Sequence, residues 1–198
     1  MSLNNYRIKT INEADFYYVP EFFDRIETSQ IFESIKNESN WKQESLIFSG
    51  KSVEIPRLTS FYGSKEYRYS GLVNLPKKLP ENIEWVSYLV NKFCLLHFFV
   101  DFNSVLLNYY RNGNDSISWH SDDETSLGTN PFVASISLGH PRLFKLRNKE
   151  TKIVTDLCLE DGSLLFMGNN SQTLFEHCVP KTKNFCGERI NLTFRKIL

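Results

Sequence analysis

The segment 108–124 reads NYYRNGNDSISWHSDDE, and inside it stands His120-x-Asp122. In an extended segment, residues two apart point to the same side. The imidazole of His120 and the carboxylate of Asp122 can therefore converge on one point. A second histidine arriving from another strand would complete two histidines and one carboxylate on one face of a metal. That donor set suits non-heme Fe(II) and leaves the opposite face open. His177, in the run TLFEHCVP from Thr173 to Pro180, is the candidate. Taken alone, such a histidine more often serves structure, and an isolated His-x-Asp occurs by chance.

The last strand carries a second chemistry. From Arg189 to Arg195 the chain reads RINLTFR, polar at every odd position and apolar at every even one. With period two, Arg189, Asn191, Thr193 and Arg195 face one side and Ile190, Leu192 and Phe194 the other. Such a strand could be an edge with a solvated polar face. Two arginines flanking Asn and Thr are also what a dicarboxylate requires, because guanidinium pairs with carboxylate bidentately. Asn108 and Tyr110 share a strand face by the same rule and could add an amide and a phenol to that anion.

These residues need a scaffold. The chain has 198 residues, for which one domain is the default, and a chain of this size buries roughly 70% of its unfolded surface. Lys+Arg and Asp+Glu balance at 23 each, so affinity for a polyanion must come from a local patch. The cysteines 94, 158, 178 and 186 form no C-x-x-C pair and read as reduced thiols of a cytosolic or nuclear-type compartment. The first ten residues are polar and mixed, unlike a signal peptide, and no apolar run reaches membrane-spanning length.

The pattern predicts an extended aromatic stretch at Phe16–Phe23. A first helix follows, with Asp24 as N-cap, Glu27 completing a capping box, and Ile26, Ile31, Phe32 and Ile35 on one face. Residues 41–60 read as a hairpin turning at Ser49-Gly50-Lys51. Tyr67 and Tyr69 share a face of the next strand, where half-buried aromatics are the plain reading. A second helix is expected through Ile83, Val86, Val90, Phe93 and His97, its stripe widened by Leu89 and Leu96. His97 reads as a core or boundary histidine, and His140, between Gly139 and Pro141, as a loop residue. Short strands are then expected near 104–111, 116–121, 132–138, 142–148, 152–159, 163–167, 174–179 and 189–197. Helices followed by evenly spaced strands predict a mostly β fold, a sandwich, jelly roll or barrel with helices packed outside. Lys145, Arg147 and Lys149 alternate along one strand, with Arg142 and Lys152 nearby. They would suit a phosphate backbone or a solvated face equally.

Taken together, His120-x-Asp122, His177 and Arg189-x-Asn191-x-Thr193-x-Arg195, in this order, resemble the AlkB family of Fe(II)- and 2-oxoglutarate-dependent dioxygenases. The segments Asn108–Tyr110, Trp119–Glu124, Ala134–Gly139 and Gly162–Met167 support the likeness, which runs from about Pro56 to the C-terminus. It implies a double-stranded β-helix, or jelly roll, in one dioxygenase domain spanning 1–198. Residues 1–100 would supply helices and a substrate-recognition hairpin, and 101–198 the core. His120, Asp122 and His177 would hold Fe(II). Asn108, Tyr110, Arg189, Asn191, Thr193 and Arg195 would bind 2-oxoglutarate, and O2 would take the remaining position. The implied reaction hydroxylates an N-methyl group of a nucleobase, as in 1-methyladenine or 3-methylcytosine, and releases formaldehyde, succinate and CO2.

The partner it implies is alkylated DNA, single- or double-stranded. RNA or a protein side chain is the alternative within this chemistry, and a non-catalytic nucleic-acid reader the alternative outside it. A cytoplasmic monomer, nuclear in a eukaryote, completes the expectation. The likeness is strongest to the duplex-DNA-repair branch, in which Tyr67 and Tyr69 with the His120 ring would form a slot for a flipped base. Asp123 and Glu124 would face that base, which is often cationic. The hairpin tip Phe48-Ser49-Gly50-Lys51 matches the region that wedges into the DNA stack. Here the chain departs from the branch: Ser49 stands before Gly50 where that branch has a large apolar residue, and Phe48 is one place earlier, on the opposite side of the strand. Pro56-Arg57 matches a pair common in the branch, with no role assigned to the arginine.

Overall fold

In this computed structural model the described residues are 8–11, 14–48, 50–69 and 71–198; the side chains of 8–11, Phe48 and Tyr69 are outside the description. Ser49 therefore lies outside the described residues.

The first helix, α1 (Arg25–Glu38), starts where the sequence says it should. Asp24 Oδ1 accepts from the backbone N–H of Ile26 at 2.8 Å and of Glu27 at 2.9 Å. The Asp24 N–H in turn donates to Glu27 Oε2 at 3.0 Å. This capping box satisfies N-terminal donors that have no partner within the helix. α1 buries Thr28, Ile31 and Ile35. Ile26, expected on that face, is 70% exposed, because it lies in the first turn on the solvent side of the axis. The second helix, α2 (Glu81–Phe98), buries Ile83, Val86, Val90 and Cys94, while Leu96 points outward at 65% exposure. The true stripe of α2 is narrower than the sequence suggests.

Both helices cover one face of a seven-stranded sheet. Its strands are β1 (Ile8–Ile11), β2 (Ala14–Val19), β5 (Leu58–Gly63), β8 (Ser104–Tyr110), β10 (Val133–Gly139), β13 (Ser163–Met167) and β15 (Arg189–Arg195), in the order β1-β2-β13-β10-β15-β8-β5. A four-stranded sheet lies opposite, in the order β12-β11-β14-β9. It is built from β9 (Ile117–His120), β11 (Arg142–Asn148), β12 (Val154–Leu159) and β14 (Phe175–Val179). From β8 to β15 the chain passes back and forth between these two antiparallel sheets, which is the winding of a double-stranded β-helix. β1, β2 and β5 extend the larger sheet, so residues before 100 contribute strands as well as helices. Two separate hairpins complete the structure: β3 (Ser45–Phe48) with β4 (Lys51–Glu54), and β6 (Tyr67–Tyr69) with β7 (Leu72–Asn74).

Alternation along β15 sorts its side chains between two cores. Ile190, Leu192 and Phe194 join Ile35, Ile83, Val86 and Val90 under the helices. Between the sheets, Phe16, Tyr110, Val133, Phe144, Leu146, Met167, Phe175 and Val179 pack together. All seven residues of β15 are buried, so its polar face is enclosed rather than solvated. The tight return into β13 needs glycine. Gly162 has φ +73°, and a Cβ there would stand 2.5 Å from the Phe23 carbonyl oxygen. Cys94, Cys158, Cys178 and Cys186 are free thiols, and burial pushes Cys94 up to about 12. No helix among the described residues is long and apolar enough to cross a membrane.

Candidate active site

His120 ends β9 and His177 sits in β14, and the antiparallel register places them directly opposite each other. Their ring centroids are 4.2 Å apart. Asp122, two residues past His120 on the loop leaving β9, turns its Oδ2 to 4.0 Å from His177 Nε2. One ligand atom from each of the three lies within 4.8 Å of the others. His97 and His140 stand apart from this group. The His97 ring packs on Phe93, and His140 Nδ1 meets the Pro141 carbonyl oxygen at 2.9 Å.

The electrostatics suit metal ligation. His120 Nδ1 lies 2.8 Å from the Ser118 carbonyl oxygen. A carbonyl only accepts, so Nδ1 carries the proton and Nε2 keeps its lone pair. Burial lowers the pKa of both histidines; His177, also near His120, falls to about 3. Both rings are thus neutral donors at ordinary pH. Burial works against the Asp122 carboxylate, but the Arg195 guanidinium, helped by the histidines, outweighs it and holds Asp122 at about 2. Arg195 Nη2 donates to Asp122 Oδ1 at 2.6 Å, whereas Oδ2 is buried with no hydrogen-bond partner among the described residues. An orphaned carboxylate oxygen beside two neutral imidazoles fits a divalent metal.

The inner face of β15 forms the adjoining wall. Arg189 is 2% exposed and donates from Nη2 to Ser137 Oγ at 2.9 Å. Its Nε and Nη1 have no partner among the described residues. A buried guanidinium with two open donor nitrogens is costly unless an anion completes it. Tyr110 lies beneath Arg189, its ring 5.1 Å from the guanidinium carbon, with Arg142 on it at 5.5 Å. Asn191 and Thr193 are engaged locally: Asn191 Nδ2 donates to Ser135 Oγ at 2.7 Å, and Thr193 Oγ1 donates to Asn191 Oδ1 at 2.8 Å. Asn108, Tyr110, Arg189, Asn191, Thr193 and Arg195 nevertheless all line one cavity with His120, Asp122 and His177. The donor set fits a dicarboxylate next to a metal.

The substrate side differs in part from expectation. Tyr67 is 1% exposed, stacked on Phe61 at 5.7 Å and lying 5.6 Å from the Arg195 guanidinium carbon. It is buried behind Arg195, not an open stacking surface, because it packs into a cluster with Phe61, Leu106, Leu127 and Ile197. Glu124 is half-buried, and burial and the nearby Asp122 carboxylate raise its pKa. Asp123 is exposed, 3.8 Å from Lys149 Nζ. The side chains of Tyr69 and Phe48 fall outside the described residues. Gly50 turns the β3–β4 hairpin with φ +77°, and Lys51 is exposed beside it.

The basic stripe is largely neutralised. Lys145 pairs with Asp156 at 2.8 Å and Arg147 with Glu176 at 2.7 Å. Arg142 is buried and donates to the backbone carbonyls of Asn112, Asp115 and Pro180, so it is no phosphate ligand. Two buried residues of the site had no role in the sequence reading. Arg57 Nε donates to Asn108 Oδ1 at 2.7 Å, which leaves the Asn108 amide nitrogen as the group it can offer. Gln172 Oε1 accepts the backbone N–H of Asp122 at 2.9 Å. Pro56-Arg57 was a usable signal for the first; nothing local marked the second.

Comparison with known proteins agrees with this geometry. Residues 15–195 match the family model described as 2OG-Fe(II) oxygenase superfamily, so the likeness begins well before Pro56. The chain is 36% identical over 189 residues to alpha-ketoglutarate-dependent dioxygenase alkB homolog 3 of Bos taurus, covering 90% of this chain and 64% of that protein. It is 34% identical over 190 residues to the DNA oxidative demethylase ALKBH2 of Homo sapiens, covering 89% and 71%. A solved structure titled "The structure of OsALKBH1" superposes with a TM-score of 0.64 at 18% identity, covering 96% of this chain and 99% of that one, and shares the fold. The match over 15–195, together with the His120, Asp122 and His177 cluster, places this chain in the 2OG-Fe(II) oxygenase superfamily and, within it, in the AlkB family.

Proposed function

We propose that this protein is an Fe(II)- and 2-oxoglutarate-dependent dioxygenase that removes alkyl groups from ring nitrogens of nucleobases in DNA. The observation that carries the reading is Arg189: a buried guanidinium with two open donor nitrogens, on the wall of the cavity that holds the histidine–aspartate–histidine cluster. His120 Nε2, His177 and Asp122 Oδ2 would hold the metal. Arg189 would pair with the distal carboxylate of 2-oxoglutarate, and the Asn108 amide, fixed by Arg57, would donate a hydrogen bond to the same molecule. Arg195 keeps Asp122 ionised and turned, and Tyr67 supports Arg195 from below. When bound, Fe(II) and 2-oxoglutarate supply activation of O2, so that an N-methyl group leaves as formaldehyde with succinate and CO2 as co-products. Glu124 and Asp123 follow Asp122 in the chain, and their carboxylates would favour a cationic alkylated base. The names of the relatives support the substrate class: ALKBH2 of Homo sapiens is called a DNA oxidative demethylase.

The test is to incubate Fe(II)-loaded protein with 2-oxoglutarate, air and a 1-methyladenine oligonucleotide, single-stranded and duplex in parallel, and to weigh the base. Loss of one methylene with formaldehyde release is expected. Succinate formed without any change in DNA would reject the substrate, and an RNA oligonucleotide would then be the next probe. Absence of succinate would reject the reaction.

A further inference from the structure

Asp122 lies beyond the end of β9 at His120, so no ladder holds its backbone. A ligand on a loop needs another anchor. Two consecutive residues of this loop bond to the segment at the start of β14, and Lys149 bridges that segment to the third. Ser121 Oγ donates to the Phe175 carbonyl oxygen at 2.9 Å. The Asp122 N–H donates to Gln172 Oε1 at 2.9 Å. Lys149 Nζ donates to the Gln172 carbonyl oxygen at 2.7 Å and stands 3.8 Å from the Asp123 carboxylate.

Gln172 is the centre of this latch. It sits in α3 (Ser171–Leu174), a single turn entered through Asn170 at φ 59°, and it is 2% exposed. Its amide nitrogen faces Ser171 Oγ at 3.1 Å and the Met167 sulfur at 3.7 Å. Both can accept, so the amide cannot flip without setting its nitrogen against the Asp122 N–H. Asp122 is then held at two points: its backbone by Gln172 and its Oδ1 by Arg195. With both ends fixed, Oδ2 has one direction left, toward the histidines. The segment that supplies His177 as a ligand also supplies the group that orients Asp122.

We propose that Gln172 is a positioning residue for the metal centre, acting through the backbone of Asp122. The proposal rests on reading His120, Asp122 and His177 as metal ligands. Partners that orient a ligand commonly change metal affinity by about 10- to 100-fold. Gln172→Met keeps the length and removes the acceptor. Gln172→Glu keeps an acceptor at the same reach.

The experiment titrates Mn(II) into the full chain by calorimetry, without 2-oxoglutarate, at a temperature where every variant is folded. Hydrogen exchange of the Asp122 amide is read in parallel. Gln172→Met should weaken Mn(II) by about 10- to 100-fold and speed exchange at Asp122, with core amides unchanged. Gln172→Glu should restore most of the affinity and slow that exchange again. Gln172→Met binding Mn(II) like the wild type would overturn the proposal. So would a loss accompanied by faster exchange throughout the core, which would mean that Gln172 only stabilises the fold. Asp122→Ala separates the underlying reading: if it binds Mn(II) as the wild type does, the metal site itself is wrong, whatever Gln172 does.

Discussion

The inner face of β15 and the two small hairpins break the usual rule of burial in opposite directions. Along β15, two arginines, an asparagine and a threonine are all buried. On the hairpins, Ile47, Val53 and Val73 stand 75%, 52% and 50% exposed, and Leu75, just past β7, 66%. Buried polar groups and exposed apolar ones are the informative exceptions in a folded chain. On β15 the exception is organised beforehand. Most of its side-chain polar atoms have a partner, and those without one, Arg189 Nε and Nη1 and Arg195 Nε, belong to residues that line one cavity. On the hairpins no described residue covers these apolar side chains. Under the proposed function, the first region would hold a small anion and a metal, and the second would meet a larger partner.

Four experiments would break or sharpen that contrast. The largest effect is expected at Asp122. Replacing it with Ala removes the carboxylate of the His120, Asp122 and His177 cluster and strands the buried Arg195 guanidinium. Turnover should vanish, and stability by urea denaturation should fall by about 3–5 kcal/mol. An unchanged midpoint would mean that the inner face is not a balanced network.

Next comes Arg189→Ala, which should raise the 2-oxoglutarate requirement by about 100-fold or more and leave nucleic-acid affinity alone. Arg195→Ala should weaken the metal as well, because it releases Asp122. Identical profiles for the two arginines would dissolve the division of labour read from their partners.

A smaller effect tests the loop that carries the chain into β9. Burial opposes the Asp115 carboxylate, but the bonds from Arg111 outweigh it and keep it below the usual range. A depressed carboxylate stabilises the fold above its unfolded pKa, and that stability is lost as pH falls through the folded value. Asp115→Asn should therefore cost about 1–3 kcal/mol at neutral pH. The difference from wild type should close below about pH 4. A gap that persists in acid would assign the effect to shape and not charge.

The smallest effect on stability is expected on the hairpins. Ile47→Ser should change it by no more than about 0.5 kcal/mol while weakening nucleic-acid binding. Lys51→Ala should lower the salt dependence of binding by about one phosphate contact. Loss of stability at Ile47 would show that the hairpin is part of the core after all.

How much was legible beforehand differs between these regions for the same physical reason. The capping box at Asp24 and Glu27, the alternation of β15 and the strands from 104 onward were readable because each depends on neighbours within a few residues. The exposure of Ile26 and Leu96 was not, since a helix pattern gives a face but not its width. Arg142 read as a surface cation and proved to be a buried clasp on three carbonyls, because its partners come from other loops. Tyr67 read as half-open and is closed over by Phe61 and Arg195.

By itself, the sequence determined which side chains share a strand face, where α1 begins, and that two histidines, a carboxylate and an arginine-flanked strand were available. Only the tertiary structure decided that His177 stands opposite His120, that Arg195 bonds Asp122 while Arg189 keeps open donors, and that Gln172 holds the loop. Period and capping are short-range consequences of backbone geometry. Partnership between distant strands is set by register and packing across the whole β-helix, and no local pattern encodes it.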